Sequence, residues 1–349
     1  MSEKVGILTG GGDCPGLNAV IRSVVRKATE AYNYKIIGFI AGWRGIMDMQ
    51  FEPLDRDRVQ GIIHRGGTII KTSRTNPLIE KGGIRKILEN FGKLELAGLI
   101  AVGGEDTLGV AKALYDEGLP VVGVPKTIDN DLSGTDYTFG YDTAISIATD
   151  AIDRVHTTAE SHNRVMVVEV MGRHTGWIAI GAGLAGAADL ILIPEKPIDI
   201  EHICRIIKKR HDHGRDFSVV VVAEGAKFKP GPDGDERVIM LKKDVDEFGH
   251  VYLGGIGNVV ADEIEKRTGF EARVVILGHV QRGGSPTAFD RVLATRFGVA
   301  AIDLVNKGEF GVMTALRGNR IVPIPLAEAV AGLKYVSEDI YEVAETFFG

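Results

Sequence analysis

PVVGVPKTIDND, residues 120–131, begins as an apolar run and ends in a cluster of polar side chains. The apolar part is typical of a buried strand, and in open α/β sheets ligands bind beyond the carboxyl ends of the strands. In an extended chain Asp129 and Asp131 would point the same way. Two carboxylates on one face suit proton abstraction, one as the base and the other orienting it. An Asx-rich turn that only closes the strand is the alternative interpretation.

Length and composition indicate a globular protein larger than one ordinary domain. A chain of 349 residues predicts two lobes. The formal charge of −6 gives no general attraction to nucleic acid or an anionic membrane, so we expect neither as a partner. Cys14 and Cys204 lack metal-ligand spacing. Because the sequence shows no signal peptide and no apolar run of about 18 residues, we expect a cytoplasmic protein.

Short apolar runs alternate with helical patterns along the whole chain. This alternation predicts an α/β fold whose mostly parallel sheets are flanked by helices. Several predicted strands end in glycine together with polar or charged residues, and some of these residues are arginines. The strand ends of this type are residues 10–16, 103–107, 171–176, 223–225 and 278–286, and the polar residues 125–131 follow a further strand. Their recurrence favours one shared phosphate-rich crevice, and hence phosphoryl transfer between two anionic ligands with Mg²⁺.

Two strand–glycine–helix junctions have the form of a phosphate cradle. Residues 10–12 are three glycines before a helix that starts near Leu17, and Gly103 and Gly104 precede a second helix. Glycines let backbone amides approach an anion closely, and the start of a helix is electropositive. The loops match neither the dinucleotide fingerprint nor the Walker sequence. The carboxylate of Glu105 suits Mg²⁺, which prefers oxygen ligands. The alternative is that Glu105 only complements the helix dipole.

Taken together, these motifs resemble those of the 6-phosphofructokinase family. The resemblance covers essentially the whole chain and rests on residues 10–18, 103–107, 125–131, 171–173, Glu224 and 279–284. It implies two similar-sized lobes, each a mostly parallel sheet flanked by helices, with the active site in the cleft between them. It also implies phosphoryl transfer to the 1-hydroxyl of fructose 6-phosphate, which gives fructose 1,6-bisphosphate. We expect residues 1–139 plus 255–308 to form the donor lobe, and residues 140–254 plus 309–349 to form the fructose 6-phosphate lobe.

The resemblance also implies roles for individual residues. Asp129 matches the family's general base, and Glu105 matches a magnesium-associated acid. The predicted catalytic set is Asp129, Asp131, Lys126, Asp106 and Arg173. The predicted donor site is Gly11, Gly12, Arg74, Gly104, Asp106, Thr107 and Lys126. The predicted substrate site is Thr127, Ile128, Asp129, Arg164, Met171, Gly172, Arg173, Glu224, Arg273, His279, Val280, Gln281 and Arg282. Because Arg164 and Arg273 match arginines that reach in from an adjacent subunit, we expect a homodimer or homotetramer with shared active sites.

Asp106 and Lys126 depart from the pattern of ATP-using members, which resemble this chain but carry a glycine-type residue and a small residue there. A glycine leaves room for the α-phosphate of a nucleotide, whereas a carboxylate fills that space with negative charge. Two like charges about 4 Å apart repel by roughly 4 kcal/mol at an effective dielectric near 20. Since that is about a thousandfold in binding, we predict inorganic pyrophosphate as the donor. Lys126 would neutralise the departing phosphate. An outward-facing Asp106 and an ATP donor are the alternative.

Two other functions remain open. The first is a catalytically silent regulatory subunit, which the intact Asp129, Arg173 and Arg282 disfavour. The second is a lipid or NAD kinase, which shares a related glycine loop. Such kinases do not account for residues 171–173 or 279–284.

Overall fold

The computed structural model describes residues 3–229, 240–245, 248–249 and 251–349. Its strands carry the apolar runs of the sequence, and most of them are followed by helices. The strands are β1 (Lys4–Thr9), β2 (Lys35–Phe39), β3 (Phe51–Leu54), β4 (Leu96–Gly103), β5 (Val121–Thr127), β6 (Phe139–Gly140), β7 (Val165–Val170), β8 (Leu190–Leu192), β9 (Ser218–Ala223), β10 (Met240–Val245), β11 (Val251–Leu253), β12 (Ala272–Ile276), β13 (Val312–Arg317) and β14 (Arg320–Pro325).

The helices range from single turns to six turns, and a short 3₁₀ helix, Gly278–Arg282, follows β12. No helix within the described ranges is both long and apolar enough to cross a membrane. The helices are α1 (Leu17–Tyr32), α2 (Trp43–Met47), α3 (Gly83–Lys93), α4 (Glu105–Asp116), α5 (Tyr141–His162), α6 (Trp177–Ala185), α7 (Ile200–Asp212), α8 (Ile256–Thr268), α9 (Ala288–Lys307), α10 (Leu326–Ala329) and α11 (Glu338–Glu345).

The larger sheet has the strand order β14-β13-β5-β4-β1-β2-β3, and β6 pairs with β5. Its central pairings are parallel, and only the outer pairs β2–β3 and β13–β14 run antiparallel. The chain leaves β1 towards β2 on one side and later returns to β4 on the other. This reversal creates a switch point at the carboxyl ends of β1 and β4, where ligands bind in open α/β sheets.

The smaller sheet has the order β12-β7-β9-β8, and all its pairings are parallel. The strands β10 and β11 form a separate antiparallel pair. Each of β7 and β9 is buried along its whole length. The expected α/β fold with two parallel sheets, one per lobe, is therefore confirmed.

Helices cover both faces of the larger sheet, which explains why its central strands are apolar without alternation. Val5 and Ile7 of β1 belong to one buried cluster with residues of α1 and α9. Leu8 lies in a second cluster on the opposite face, together with Leu108 and Leu114 of α4. Both faces are thus sealed, and the carboxyl edge of the sheet is left to carry polar side chains.

The sheets divide the chain differently from the predicted lobes. β12 lies within residues 255–308, which the sequence assigned to the donor lobe, yet it pairs with β7 of the smaller sheet. β13 and β14 lie within residues 309–349, yet they extend the larger sheet next to β5. The predicted bounds are wrong for these strands. A strand joins a sheet through its hydrogen-bonded neighbour, and the apolar pattern of a single sequence does not identify that neighbour.

Candidate active site

A cleft of about 250 Å³ lies at the carboxyl ends of both sheets. Most residues that line the cleft lie at or just after the ends of β1, β4 and β5 of the larger sheet and of β7, β9 and β12 of the smaller one. The lining residues are Gly11, Gly12, Arg74, Gly104, Glu105, Asp106, Thr107, Lys126, Thr127, Asp129, Asp131, Met171, Arg173, His174, Glu224, Phe248, Leu253, His279 and Arg282. Every residue predicted for the donor site is among them.

Glycines form the floor of the donor side of the cleft. A Cβ atom on Gly12 would lie 2.6 Å from Nη1 of Arg282, so only a glycine fits there without moving the guanidinium. Gly104 is the N-cap of α4, and Glu105 and Asp106 form the first turn of that helix. Both carboxylates sit where the helix dipole favours negative charge. Both also line the cleft, so the donor side carries its own acidic groups.

Lys126, at the end of β5, is the buried cation of the donor side. Its Nζ donates a hydrogen bond of 2.5 Å to the carbonyl oxygen of Gly12. Burial lowers the pKa of Lys126, while the charges of Cys14, Asp13 and Asp129 act in the opposite direction. A buried ammonium is stabilised when an anion enters beside it. The position of Lys126 therefore suits a phosphate donor.

The backbone after β5 departs from the extended form that the sequence suggested. Asn130 has a φ of 51°, in the left-handed region. The expectation that Asp129 and Asp131 share a face because the chain is extended is therefore wrong. Both carboxylates line the cleft all the same. The turn is held by the Asp129 amide, which donates to Thr127 Oγ1 at 3.0 Å.

The acids of the cleft differ in their environment. Burial raises the pKa of Asp131 to about 7, and the Asp129 charge adds to the effect, while a hydrogen bond from Thr127 opposes it. Burial also raises the pKa of Glu224 to about 7, again with Asp129 adding to it and Arg173 opposing it. Oδ1 of Asp129 is buried and has no hydrogen-bond partner among the described residues. A buried acceptor of this kind is costly unless a ligand pairs with it.

Two arginines reach the cleft from the side of the smaller sheet. Arg173 follows β7, and its buried Nε has no hydrogen-bond partner in the part of the chain that the structure describes. Arg282 ends the 3₁₀ helix after β12, and its Nη1 donates to the carbonyl oxygen of Asp13 at 3.2 Å. Arg282 was predicted for the sugar phosphate, yet in this structure it also contacts the donor loop. It lies between the two predicted ligand sites.

Some predicted substrate residues lie outside the cleft of their own chain. Arg164 and Arg273 both pair with Glu271, and the Arg164 Nε–Glu271 Oε2 distance is 2.8 Å. Val280 is exposed to 61% and does not line the cleft. Gln281 is fully buried and accepts a hydrogen bond of 3.3 Å from the Met171 amide, so it supports the wall of the cleft from behind.

The two other predicted substrate residues that do not line the cleft are Ile128 and Gly172. Ile128 is buried to 99% in the core, next to the cleft. Gly172 has a φ of 137°, and a Cβ atom there would lie 2.6 Å from the carbonyl oxygen of Thr175. It therefore serves the turn after β7, where a side chain would not fit.

Sequence reasoning missed several residues around the catalytic turn. His174 and Phe248 line the cleft. Thr175 Oγ1 donates to the carbonyl oxygen of Asp129 at 3.3 Å. His174 and Thr175 belong to the strand end at residues 171–176, which the sequence analysis did identify. Their position next to Arg173 was the signal that could have indicated them. The prolines and glycines of residues 230–234 predict a loop before Phe248, but that loop lies outside the described residues, and no sequence signal pointed to Phe248.

Carboxylate oxygens for a divalent cation are available in the cleft. Glu105, Asp129 and Asp131 all line it. Among the described residues, no group of three or more His, Cys, Asp or Glu side chains could hold a metal without help. Mg²⁺ is typically held by one or two carboxylates together with substrate phosphates and waters. The residues present fit that mode of binding.

Comparison with known proteins shows the family to which the chain belongs. A family model described as phosphofructokinase matches residues 4–305. The chain belongs to the phosphofructokinase family. This phosphofructokinase is 58% identical over 347 residues to the pyrophosphate–fructose 6-phosphate 1-phosphotransferase of Streptomyces coelicolor, covering 99% of this chain and 100% of the relative. It is 52% identical over 349 residues to ATP-dependent 6-phosphofructokinase 2 of the same organism, covering 99% of this chain and 100% of the relative.

Solved structures share the fold of this phosphofructokinase. The phosphofructokinase of Pichia pastoris in the T-state superposes with a TM-score of 0.82 at 31% identity, over 99% of this chain and 36% of that chain. The pyrophosphate-dependent phosphofructokinase of Marinobacter aquaeolei superposes with a TM-score of 0.81 at 22% identity, over 99% of this chain and 92% of that chain. The second likeness concerns the fold alone.

Proposed function

We propose that this phosphofructokinase moves a phosphoryl group from inorganic pyrophosphate to the 1-hydroxyl of D-fructose 6-phosphate, giving fructose 1,6-bisphosphate and phosphate. The observation that carries the proposal is that Asp106 and Lys126 both line the donor side of the cleft. The relative named as a pyrophosphate enzyme is 58% identical, against 52% for one named as ATP-dependent. Because pyrophosphate is a modest donor, the reaction runs in both directions.

The donor side selects its ligand by charge. Asp106 lies in the first turn of α4, close to the glycine floor on which a donor would rest. The α-phosphate of ATP, the third counted from the transferred end, would meet the Asp106 carboxylate, at a cost of about 4 kcal/mol for like charges about 4 Å apart. Pyrophosphate has only two phosphates and would not reach that carboxylate. Lys126 stabilises the charge that grows on the departing phosphate.

Asp129 acts as the general base of the forward reaction. Its Oδ1 has no protein partner among the described residues and can accept the proton of the 1-hydroxyl. The hydroxyl oxygen forms a bond to the transferred phosphorus as the bridging oxygen of pyrophosphate leaves with its electron pair. Arg173 and Arg282 hold the phosphate of the sugar, and Glu224 accepts hydrogen bonds from its hydroxyls. Asp131 faces the same cleft and keeps the base in place.

A magnesium ion belongs to the proposal as a bound cofactor. Glu105, with Asp129 or Asp131, would hold it together with the donor phosphates. When bound, it supplies charge neutralisation of the phosphates. We also propose a cytoplasmic homodimer or homotetramer, in which Arg164 and Arg273 serve the cleft of a neighbouring subunit.

A donor panel tests the function. Initial rates are measured with fructose 6-phosphate, Mg²⁺ and either pyrophosphate, ATP or polyphosphate. We expect kcat/KM with pyrophosphate to exceed that with ATP by at least about a hundredfold, since the proposed repulsion corresponds to about a thousandfold. Asp129→Asn is the matched control and should lose about a thousandfold in kcat with every donor. Preferred turnover with ATP would disprove the choice of donor, and an Asp129→Asn variant of wild-type rate would disprove the base.

A further inference from the structure

A segment that follows α10 runs along the back of the turn that carries the cleft carboxylates. We call residues 332–336 the strap and residues 127–138 the catalytic loop. The backbone amide of Lys334 donates to the carbonyl oxygen of Asp131 at 2.8 Å. An isolated antiparallel bridge also joins the strap to the loop. The strap is therefore a backbone partner of the catalytic loop.

The side chain of Lys334 is also committed to the catalytic loop. Its Nζ donates to Oδ1 of Asn130 at 3.1 Å, and to the carbonyl oxygens of Thr135 and Asp136 at 3.0 and 2.9 Å. These three oxygens match the three donors of an ammonium. The same Nζ lies 5.4 Å from the centre of the Trp177 ring, within the range of a cation–π interaction. The ammonium is enclosed by acceptors and does not line the cleft.

Asn130 is the residue between the two carboxylates, and it has the unusual backbone. Its φ of 51° lies in the left-handed region, which asparagine adopts more readily than most residues other than glycine. Its side chain is buried, and its Oδ1 also accepts from the Thr138 amide at 3.1 Å. Since Asn130 sets the directions in which Asp129 and Asp131 leave the backbone, whatever fixes Asn130 also fixes them.

The strap is tied to the side of the smaller sheet as well. Trp177 Nε1 donates to the Lys334 carbonyl oxygen at 2.7 Å. The amide of Val336 donates to Oε1 of Glu195 at 3.0 Å. The same carboxylate accepts from the amide of Gly176, at the end of the loop that holds Arg173. The strap therefore connects the catalytic loop with the loop after β7.

We propose that Lys334 is a positioning residue for the phosphoryl transfer, which acts through Asn130 to aim the Asp129 carboxylate at the sugar hydroxyl. The inference rests on the proposed function, because the role of Asp129 as base belongs to that function. The three acceptor oxygens around the Lys334 Nζ favour its ammonium form, which has three donors.

The first test is the variant Lys334→Met, which keeps the length of the side chain and removes its donors. We expect kcat to fall about 10- to 100-fold, because small displacements of a reacting group cost up to about a hundredfold. The KM values for fructose 6-phosphate and pyrophosphate should change less than about threefold, since the cleft lining is intact. Lys334→Arg keeps the charge and should recover part of the lost kcat.

A second variant removes the acceptor, rather than the donor, of the hydrogen bond between Lys334 and Asn130. Asn130→Gly suits the left-handed backbone and removes the carboxamide, so it should lower kcat by a similar factor with the KM values again preserved. If Lys334 acts through Asn130, the double variant should be no slower than the slower single variant. Losses that multiply in the double variant, or a kcat within twofold of wild type in either single variant, would overturn the inference. So would a loss of kcat that only follows a loss of folded protein in thermal melts.

Lys196→Met is the matched control. Lys196 Nζ lies 2.5 Å from Oε1 of Glu338, just beyond the strap, and this exposed pair does not contact the catalytic loop. We expect kcat within about twofold of wild type, because exposed ion pairs contribute little. All variants are assayed with both pyrophosphate and ATP. A wild-type enzyme that is inactive with every donor contradicts the proposed function, whereas an active wild type with an unaffected Lys334→Met contradicts only the role of Lys334.

Discussion

The donor side and the sugar side of the cleft handle anions in different ways. On the donor side, glycine loops meet the first turn of α4, which carries Glu105 and Asp106, and the buried Lys126 faces the cleft beside these acids. On the sugar side, Arg173 and Arg282 line the cleft. One side limits the size of its ligand by repulsion, and the other holds a phosphate by attraction. The difference predicts that substitutions on the two sides will change different kinetic constants.

The largest effect is expected from Asp106→Gly, which removes the repulsive charge from the donor side. We expect kcat/KM with ATP to rise by up to about a thousandfold, the factor that corresponds to about 4 kcal/mol. KM for fructose 6-phosphate should change little, because residue 106 lies on the other side of the cleft. Steady-state rates with both donors measure the change. Asp106→Asn keeps the volume without the charge and thereby separates repulsion from steric overlap. If neither variant gains with ATP, exclusion of the nucleotide lies elsewhere, for example in Lys126.

A smaller effect is expected from Arg173→Met on the sugar side. Hydrogen bonds to charged groups contribute about 1.5–3 kcal/mol, so KM for fructose 6-phosphate should rise about 10- to 150-fold. KM for pyrophosphate should stay within about threefold. Arg154→Met, which breaks only an exposed ion pair with Asp150, serves as the control and should change neither constant. Equal rises of both KM values for Arg173→Met would show that the two sides are not separate.

The smallest effect concerns stability without ligands. Burial, with the charge of Asp129, raises the pKa of Glu224 to about 7, so the folded protein binds a proton there that the unfolded chain releases near pH 4.5. The contribution of Glu224 to the free energy of unfolding is therefore fully present below about pH 4.5 and is lost as the pH rises towards about 7. Glu224→Gln should remove this loss and raise Tm at pH 8 by a few degrees. Melting curves between pH 4 and pH 8 test it, and the gain should shrink steadily below pH 7 and nearly vanish at pH 4. A Tm difference that is independent of pH would contradict the shifted pKa.

Much of the fold was predictable because its strands and helices are short, strongly patterned and mostly joined in order. The predicted carboxyl ends of β1, β4, β7 and β9 lie within one residue of the observed ends, whereas β5 extends three residues beyond its predicted end at Val124. Sequence reasoning missed β3 and β8, which have only four and three residues and are too short to show a pattern. It also placed β12, β13 and β14 in the wrong sheet, since the pairing of strands distant in sequence is set by the packing of the whole chain.

Many residues of the candidate site were predictable because they lie at the ends of strands that the sequence itself predicts. Asp106, Lys126 and Arg173, which sit at the polar ends of predicted strands, all line the cleft. Lys334 belongs to no such motif, and its contacts with the catalytic loop reveal it. The left-handed backbone of Asn130 was equally hidden, although asparagine is one of the few residues that tolerate it. Motifs report the groups that face a ligand, and the groups that stand behind them are found through contacts.

The place of β13 in the larger sheet has a consequence for how the chain matures. β13 pairs with β5, although nearly two hundred residues of the chain separate them. A nascent chain that has not yet extended past Arg317 leaves β5 without its partner at Val122 and Gly123, although the end of β5 at Lys126 and Thr127 is already paired with β6. During synthesis, the larger sheet therefore keeps an open edge beside β5 until residues 312–317 have been made, long after the segment that carries Asp129 and Asp131.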